Sequence, residues 1–389
     1  MIKFDNTEIA FESKSNNDLN RAYRLFKLIG NRNLVKIGKP LTNFALSVGL
    51  PIKGVVRSTI FAQFCGGETI NECDATIQQL GKFGIGTILD YSVEGKTSDE
   101  DFEHTTEEII ATIIKATTTT YIPFAVFKVT GIARFDLLEK ANLSTSGLTE
   151  KELIEYKQLL ERVDRICKAG FDNNVPVFID AEETWIQDAI DRITYEMMLK
   201  YNKEIAIVYN TVQIYRHDRL AYLKKEIEQA KVDGVKYGVK LVRGAYMEKE
   251  RARAAEKGYP SPIQPNKIAC DKDYNLALEF LVSEIDQMAL CAGSHNEESA
   301  LYLTELLAKH GIKNVDKRVY FAQLLGMSDH ISFNLSKEGY NVAKYVPYGP
   351  IKEVMPYLLR RADENTSVAG QTSRELNLIM KERQRRRLN

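Results

Sequence analysis

Eight short apolar runs, rich in Val, Ile, Tyr and Phe and separated by amphipathic stretches, constrain the fold of this 389-residue chain more than any other feature. They fall at 85–90, 122–130, 175–180, 205–213, 237–243, 288–292, 318–324 and 342–347. Strands that are apolar on both faces must be covered on both faces, and helical crossovers between them imply a parallel sheet. Eight such units predict an α/β protein built on a (β/α)8 TIM barrel. Residues 84–365 match the usual size of that barrel, about 250 residues.

The chain before the first run reads differently. Helical stretches at 20–28, 41–48 and 51–64, the last with Pro51 in its first turn, predict an N-terminal helical arm over residues 1–65. The barrel then takes 66–389. The stretch 148–169 is by itself a sufficient crossover helix, so 131–147 reads as an inserted connection. Gly66, Gly67, Gly84 and Gly86 read as turn glycines.

Composition removes several function classes. Lys plus Arg and Asp plus Glu number 53 each, so no global charge argues for nucleic acid. No apolar run reaches the about 20 residues that span a bilayer, and the acidic N-terminus with Asp5, Glu8 and Glu12 lacks the apolar core of a signal peptide. The five cysteines show no paired spacing, which predicts buried thiols in a reducing compartment and a cytoplasmic protein. The histidines lack metal-ligand spacing, so no metal is expected. A basic cluster at 381–387 suits either a solvated helix end or a membrane-surface contact.

Barrel chemistry sits where strands end and loops begin, and polar residues gather there. Asp90, Lys128, Asp180 with Ala181 and Glu182, Gln213, Lys240 with Arg243 and Tyr246, Ser294 with His295, Gln323 with Leu324, and Tyr345 close the eight runs. A lysine or aspartate in an apolar strand is costly unless paired, and Lys128 and Asp180 on neighbouring strands are suited to pair. Barrel interiors also hold such pairs for purely structural ends.

The stretch 357–365 adds a second constellation. On a helix, Tyr357 lies one turn before Arg360 and Arg361, and Glu364 one turn after. Two guanidiniums braced by a carboxylate can grip a carboxylate or a phosphate in two-pronged fashion, although the same residues also suit a solvated face. A phosphate-binding barrel would want a Gly-rich loop after strand seven or eight, which LLGMSDH (324–330) and PYGPIKE (347–353) do not resemble.

Five blocks then resemble the proline dehydrogenase family, the flavoenzymes of proline catabolism, and in particular its single-function, mitochondrial-type members. They are GIGTILDYSVE (84–94), VFIDAEE (177–183), KLVRGAYMEKERARA (240–254), YFAQLLGMSDHISFNL (320–335) and YVPYGPIKEVMPYLLRRADEN (345–365). The resemblance implies a distorted (β/α)8 barrel that binds FAD and oxidises L-proline to 1-pyrroline-5-carboxylate. It places Lys128, Arg360 and Arg361 on the substrate carboxylate, with Asp180 ordering the cations. Leu324, Tyr345 and Tyr246 would wall the pyrrolidine ring. Ala181, Gln213, Lys240, Arg243, Gly244, Ala245, Ser294 and His295 would hold the flavin, with Glu364 beside them. Asp180 and Lys240 are the residues expected to act in catalysis.

Many bacterial members have arginine where this chain has Lys240, which keeps the charge and loses the fork. Hydroxyproline-oxidising relatives carry a smaller residue in place of Tyr345, so the tyrosine favours proline. The resemblance also implies a membrane quinone as electron acceptor, peripheral contact with the inner membrane, and a separate pyrroline-5-carboxylate dehydrogenase downstream. No DNA-binding or aldehyde dehydrogenase segment is evident in the sequence.

Overall fold

The computed structural model describes residues 2–30, 53–93, 97–367 and 371–388, with side chains omitted from 362 to 373. Among the described residues eight strands occur, all parallel where paired, and close into a barrel in chain order. They are β1 Ile85–Tyr91, β2 Phe124–Lys128, β3 Val177–Asp180, β4 Val208–Gln213, β5 Tyr237–Val242, β6 Met288–Gly293, β7 Val319–Leu324 and β8 Val342–Tyr348. Each lies within or nearly within a run read from the sequence. Burial explains why: β3 and β4 are buried at every position, as an apolar strand covered on both faces should be.

The contacts divide the chain into two compact units, residues 95–322 and residues 1–94 with 323–389. In the first unit, the lower barrel is filled by aromatic rings. Phe124 stacks on Phe178 at 4.3 Å, and Tyr209 and Tyr320 meet Phe124 edge-on. Gly238 makes room for this floor, since a Cβ there would lie 2.7 Å from the Tyr209 ring. Residues two further along the same strands, Asp180, Thr211 and Lys240, share the faces of Phe178, Tyr209 and Gly238 and form the next layer up. Between β2 and β3 the insertion carries a helix of its own, Phe135–Leu143, ahead of the long helix Glu150–Asp172.

In the second unit, β1 pairs with β8 from Ile85↔Val342 to Tyr91↔Tyr348. Gly86 is therefore a strand residue, paired with Ala343, and not a turn glycine. Gly84, with φ +69°, is the turn that precedes it. The helix Asn16–Ile29 begins with a capping box between Ser15 and Asp18. Its buried Leu19, Ala22 and Phe26 share one apolar cluster with Phe64, Val354, Leu358, Leu378 and Ile379. The N-terminal arm thus packs on the helix Ile351–Ser367 and on the C-terminal helix Gln371–Arg385. The arm's last described stretch runs as a turn of α-helix, a π-helix at Arg57–Phe61 and a final turn to Phe64. The expected helix at 41–48 and Pro51 lie outside the described residues.

Part of the basic C-terminal cluster is engaged inside this unit. Arg386 donates to the carbonyls of Phe11 (2.8 Å) and Lys14 (2.7 Å), and Arg383 donates to Asn20 while covering the Tyr23 ring. Arg385 and Arg386 also grip the fully buried Glu382.

Candidate active site

Asp180 ends β3 and is nearly buried, directly beside Lys128, its register partner on β2. Lys128 Nζ stands 3.7 Å from one Asp180 oxygen, and Lys240 Nζ makes a short ion pair with the other. The expected Lys128–Asp180 pair is thus present, with Lys240 as a second cation. Thr211 Oγ1, beside Lys240 in the β4–β5 register, donates to Asp180 at 3.5 Å. Lys240 also lies 5.4 Å above the Phe178 ring, between the aromatic floor and the carboxylate.

Two ammonium groups face one carboxylate in this layer. The lower cation is 8% exposed and the upper one 21%. Two lysines at the strand ends, the outer one partly exposed, are the kind of group that can hold a small anion. That is the chemical content of the arrangement, and it is set by three residues read from the sequence.

Glu182, two residues beyond Asp180, was noted in the sequence but given no role. Its buried carboxylate accepts from Thr130 N (3.0 Å) and from Thr130 Oγ1. Burial pushes its pKa up to about 7, against the pull of the Thr130 hydrogen bonds. Gln213 Nε2 donates to the Glu182 carbonyl at 2.7 Å, so Gln213 holds the turn after β3. Ala181 lies buried in that same turn.

Glu250 went unrecognised for a plain reason. In the sequence it sits in a run of charges that looks solvated, yet it is fully buried. Its carboxylate accepts from Thr184 N and Thr184 Oγ1, both at 2.7 Å, and so ties the helix Met247–Lys257 to the start of the helix Thr184–Tyr201. Tyr246 is the residue immediately before the first of these helices.

The loop after β5 gathers a third group. Arg243 is locked by three hydrogen bonds, to Asp271 (2.7 Å), Ser294 Oγ (2.8 Å) and Ser299 Oγ (2.9 Å), with its guanidinium 4.2 Å over the Tyr274 ring. Arg243 and Ser294 are therefore brought together, and His295 follows, half-buried. Gly244 has φ +131°, and a Cβ there would lie 2.5 Å from the Tyr215 ring. Only glycine suits that position.

In the other unit, Leu325 N donates to Tyr345 O at 2.9 Å, linking the end of β7 to β8. Tyr345 is buried and Leu324 partly so. Arg361 is buried with its guanidinium 5.0 Å over the ring of Tyr357, one turn earlier, and Arg360 is half-buried. The side chain of Glu364 lies outside the described residues.

A family model described as proline dehydrogenase matches residues 73–374. The chain belongs to the proline dehydrogenase family. It is 33% identical to proline dehydrogenase 1, mitochondrial, of Dictyostelium discoideum, over 98% of this chain and 74% of that protein. It is 30% identical to hydroxyproline dehydrogenase of Xenopus laevis, over 97% of this chain and 89% of that protein. Other family relatives are longer, and this chain spans 41% of the human proline dehydrogenase 1. Among solved structures, proline utilization A from Bdellovibrio bacteriovorus, inactivated by N-propargylglycine, shares the fold with a TM-score of 0.74 at 20% identity. That match covers 95% of this chain and 40% of the other.

Members of the proline dehydrogenase family are flavoenzymes, and the residues around Arg243 have the chemistry to hold an anionic part of such a cofactor. Gly244 and Ala245 expose a strip of backbone without side-chain bulk, flanked by Arg243 and by the N-terminus of the 11-residue helix Met247–Lys257. A pyrophosphate wants that combination of N–H donors and fixed cations.

Proposed function

We propose that this chain is an FAD-dependent L-proline dehydrogenase that forms 1-pyrroline-5-carboxylate, the first step of proline degradation to glutamate. The observation that carries the reading is the Lys128–Asp180–Lys240 layer, two lysines on one aspartate above an aromatic floor in a member of this family. Bound FAD supplies the acceptor for the two electrons removed from the substrate. The chain's own residues do the rest.

Lys128, Arg360 and Arg361 bind the substrate carboxylate. Asp180 holds Lys128 and Lys240 in place and keeps the layer from carrying two uncompensated charges. Tyr246, Leu324 and Tyr345 enclose the ring, so that a small zwitterion has one orientation; for such a substrate, positioning is most of catalysis. The nearby ammonium groups disfavour a protonated ring nitrogen, so the bound amine gives its proton to solvent before the C–H bond breaks. Ala181, Gln213, Lys240, Arg243, Gly244, Ala245, Ser294, His295 and Glu364 hold the cofactor. A membrane quinone receives the electrons through peripheral contact with the inner membrane from the cytoplasmic side, and a separate pyrroline-5-carboxylate dehydrogenase takes the product. No described helix is long and apolar enough to cross a membrane.

A second reading, a hydroxyproline or other cyclic imino acid dehydrogenase, is favoured by the Xenopus laevis relative. Tyr345 argues against it, because a ring hydroxyl needs space that a buried tyrosine fills.

An anaerobic titration of the purified protein with L-proline tests both. Bleaching of the flavin band by proline at lower concentration than by hydroxyproline is the expected result. The reverse order would establish the second reading, and a protein that stays colourless after FAD is added would remove both.

A further inference from the structure

The turn Leu324–Asp329, which leaves β7, is held by more polar contacts than its length requires. Lys344 on β8 is fully buried. Its ammonium donates to the carbonyls of Met327 (2.5 Å) and Leu324 (3.4 Å) and pairs with Asp329 at 2.9 Å. Lys14 of the N-terminal arm meets the other Asp329 oxygen at 3.1 Å. Glu375 of the C-terminal helix accepts from Ser328 N, and Gln63 Nε2 donates to Gly326 O at 2.9 Å. Arg386, just past the end of that helix, donates to the Lys14 carbonyl at 2.7 Å, so Lys14 is itself held.

Stability alone is a poor reason for this construction. Replacing a buried ion pair with apolar side chains is often neutral or better. A hydrophobic plug, however, could not satisfy the carbonyls of Leu324 and Met327 or fix Ser328, which sits at φ +51° in the left-handed region that a non-glycine residue rarely adopts. Burial works against the ionised form of Asp329, yet Lys14 and Lys344 hold its carboxyl well below the usual carboxylate range. The charges are kept and spent on backbone position.

Strand geometry says which position matters. Lys344 and Tyr345 are adjacent on β8 and so face opposite sides of it. Lys344 grips the Leu324 carbonyl from one side, while the Tyr345 carbonyl accepts from Leu325 N. Two of the three residues assigned to the ring wall, Leu324 and Tyr345, therefore depend on one strand and one turn.

We propose that Lys14, Asp329, Lys344 and Glu375 form a clamp through which the N-terminal arm and the C-terminal helix set the Leu324 wall of the ring subsite. They are positioning residues for substrate size, a role that rests on the reading of Leu324 and Tyr345 as ring contacts. The termini of the chain thus act on selectivity without touching substrate.

The test compares wild type, K14M, K14R and K344M as FAD-loaded proteins, with steady-state kinetics on proline and on 4-hydroxyproline, flavin absorbance and thermal melts. Lys14 is partly exposed, so K14M should fold even if K344M does not. In K14M the proline KM should rise roughly fivefold to tenfold with kcat within about twofold, because only ground-state positioning is loosened. Flavin content should stay unchanged, the preference for proline over hydroxyproline should narrow, and K14R should recover most of the loss. A K14M protein that melts earlier but keeps wild-type KM and preference overturns the clamp, as does one whose deficit is loss of flavin. Wild type that oxidises neither substrate would instead overturn the functional reading, and the clamp's role with it.

Discussion

Two aspartates in this molecule are each gripped by two lysines, and they do opposite things with the charge. Asp329 pairs with Lys14 and Lys344 at 3.1 and 2.9 Å, and Lys344 spends its remaining donors on main-chain carbonyls. Asp180 pairs tightly with Lys240 but at 3.7 Å with Lys128, whose side chain is 21% exposed. In each trio two lysines face one carboxylate. Around Asp329 the inner lysine turns its other donors to main-chain carbonyls, and around Asp180 the outer lysine stands partly exposed at the strand end. Even the companions match: Glu375 and Glu182 are both buried carboxyls whose pKa burial raises. Composition of a cluster does not decide whether it builds or binds; what the outermost cation touches does.

The comparison is tested hardest at the sealed cation. K344M leaves the buried Asp329 with the partly exposed Lys14 alone and takes the side-chain donor from the Leu324 and Met327 carbonyls, so it should cost about 3 kcal/mol in chemical denaturation. A loss below about 1 kcal/mol would mean that Asp329 finds other compensation, and the contrast between the clusters would fail. R361M should raise the proline KM by about a hundredfold, as expected for one charge-assisted grip on a carboxylate, with flavin content unchanged. Unchanged kinetics would leave the helix Ile351–Ser367 as structure only.

Glu182 gives the next largest effect, and its sign follows from linkage. Its folded-state pKa of about 7 lies above the 4.5 of the unfolded chain. Between those values the native state keeps a proton that the unfolded state has lost. Stability contributed at this site therefore falls as pH rises from 4.5 toward 7 and is flat above. E182Q removes the titration, so wild type should lose about 2 kcal/mol relative to E182Q between roughly pH 5.5 and 7.5. Parallel pH profiles for the two proteins would show that Glu182 is ionised throughout.

How much of this was legible beforehand follows the same divide. The eight strands were readable because each is an apolar run bounded by polar residues, and Asp180 and Lys240 were readable because a charge ending such a run is conspicuous. Lys344 also lies in such a run, yet nothing local tells it from a strand-end binder. Its partners Lys14, Asp329 and Glu375 come from opposite ends of the chain. Within the basic C-terminal cluster Arg386 was illegible for the same cause: it reads as a solvated or membrane-facing cation until Phe11 and Lys14 are placed against it. Gly86 looked like a turn residue because Gly84 beside it is one, and strand pairing decides between them. Glu250 was hidden by its charged neighbours.

The smallest stability effect is expected where the functional effect is clearest, at the outer cation of the Asp180 trio. Lys128 is partly exposed and its pairing is long, so K128M should cost less than about 1 kcal/mol of folding free energy. Asp180 keeps its short pair with Lys240 and its contact with Thr211, so no buried carboxylate is stranded. The proline KM should nevertheless rise about tenfold, the price of one cation withdrawn from a carboxylate. Denaturant melts and steady-state kinetics on the same protein separate the two quantities. If K128M unfolds as readily as K344M and binds proline normally, Asp180 and Asp329 are the same kind of structural node, and Lys128 is not what recognises substrate.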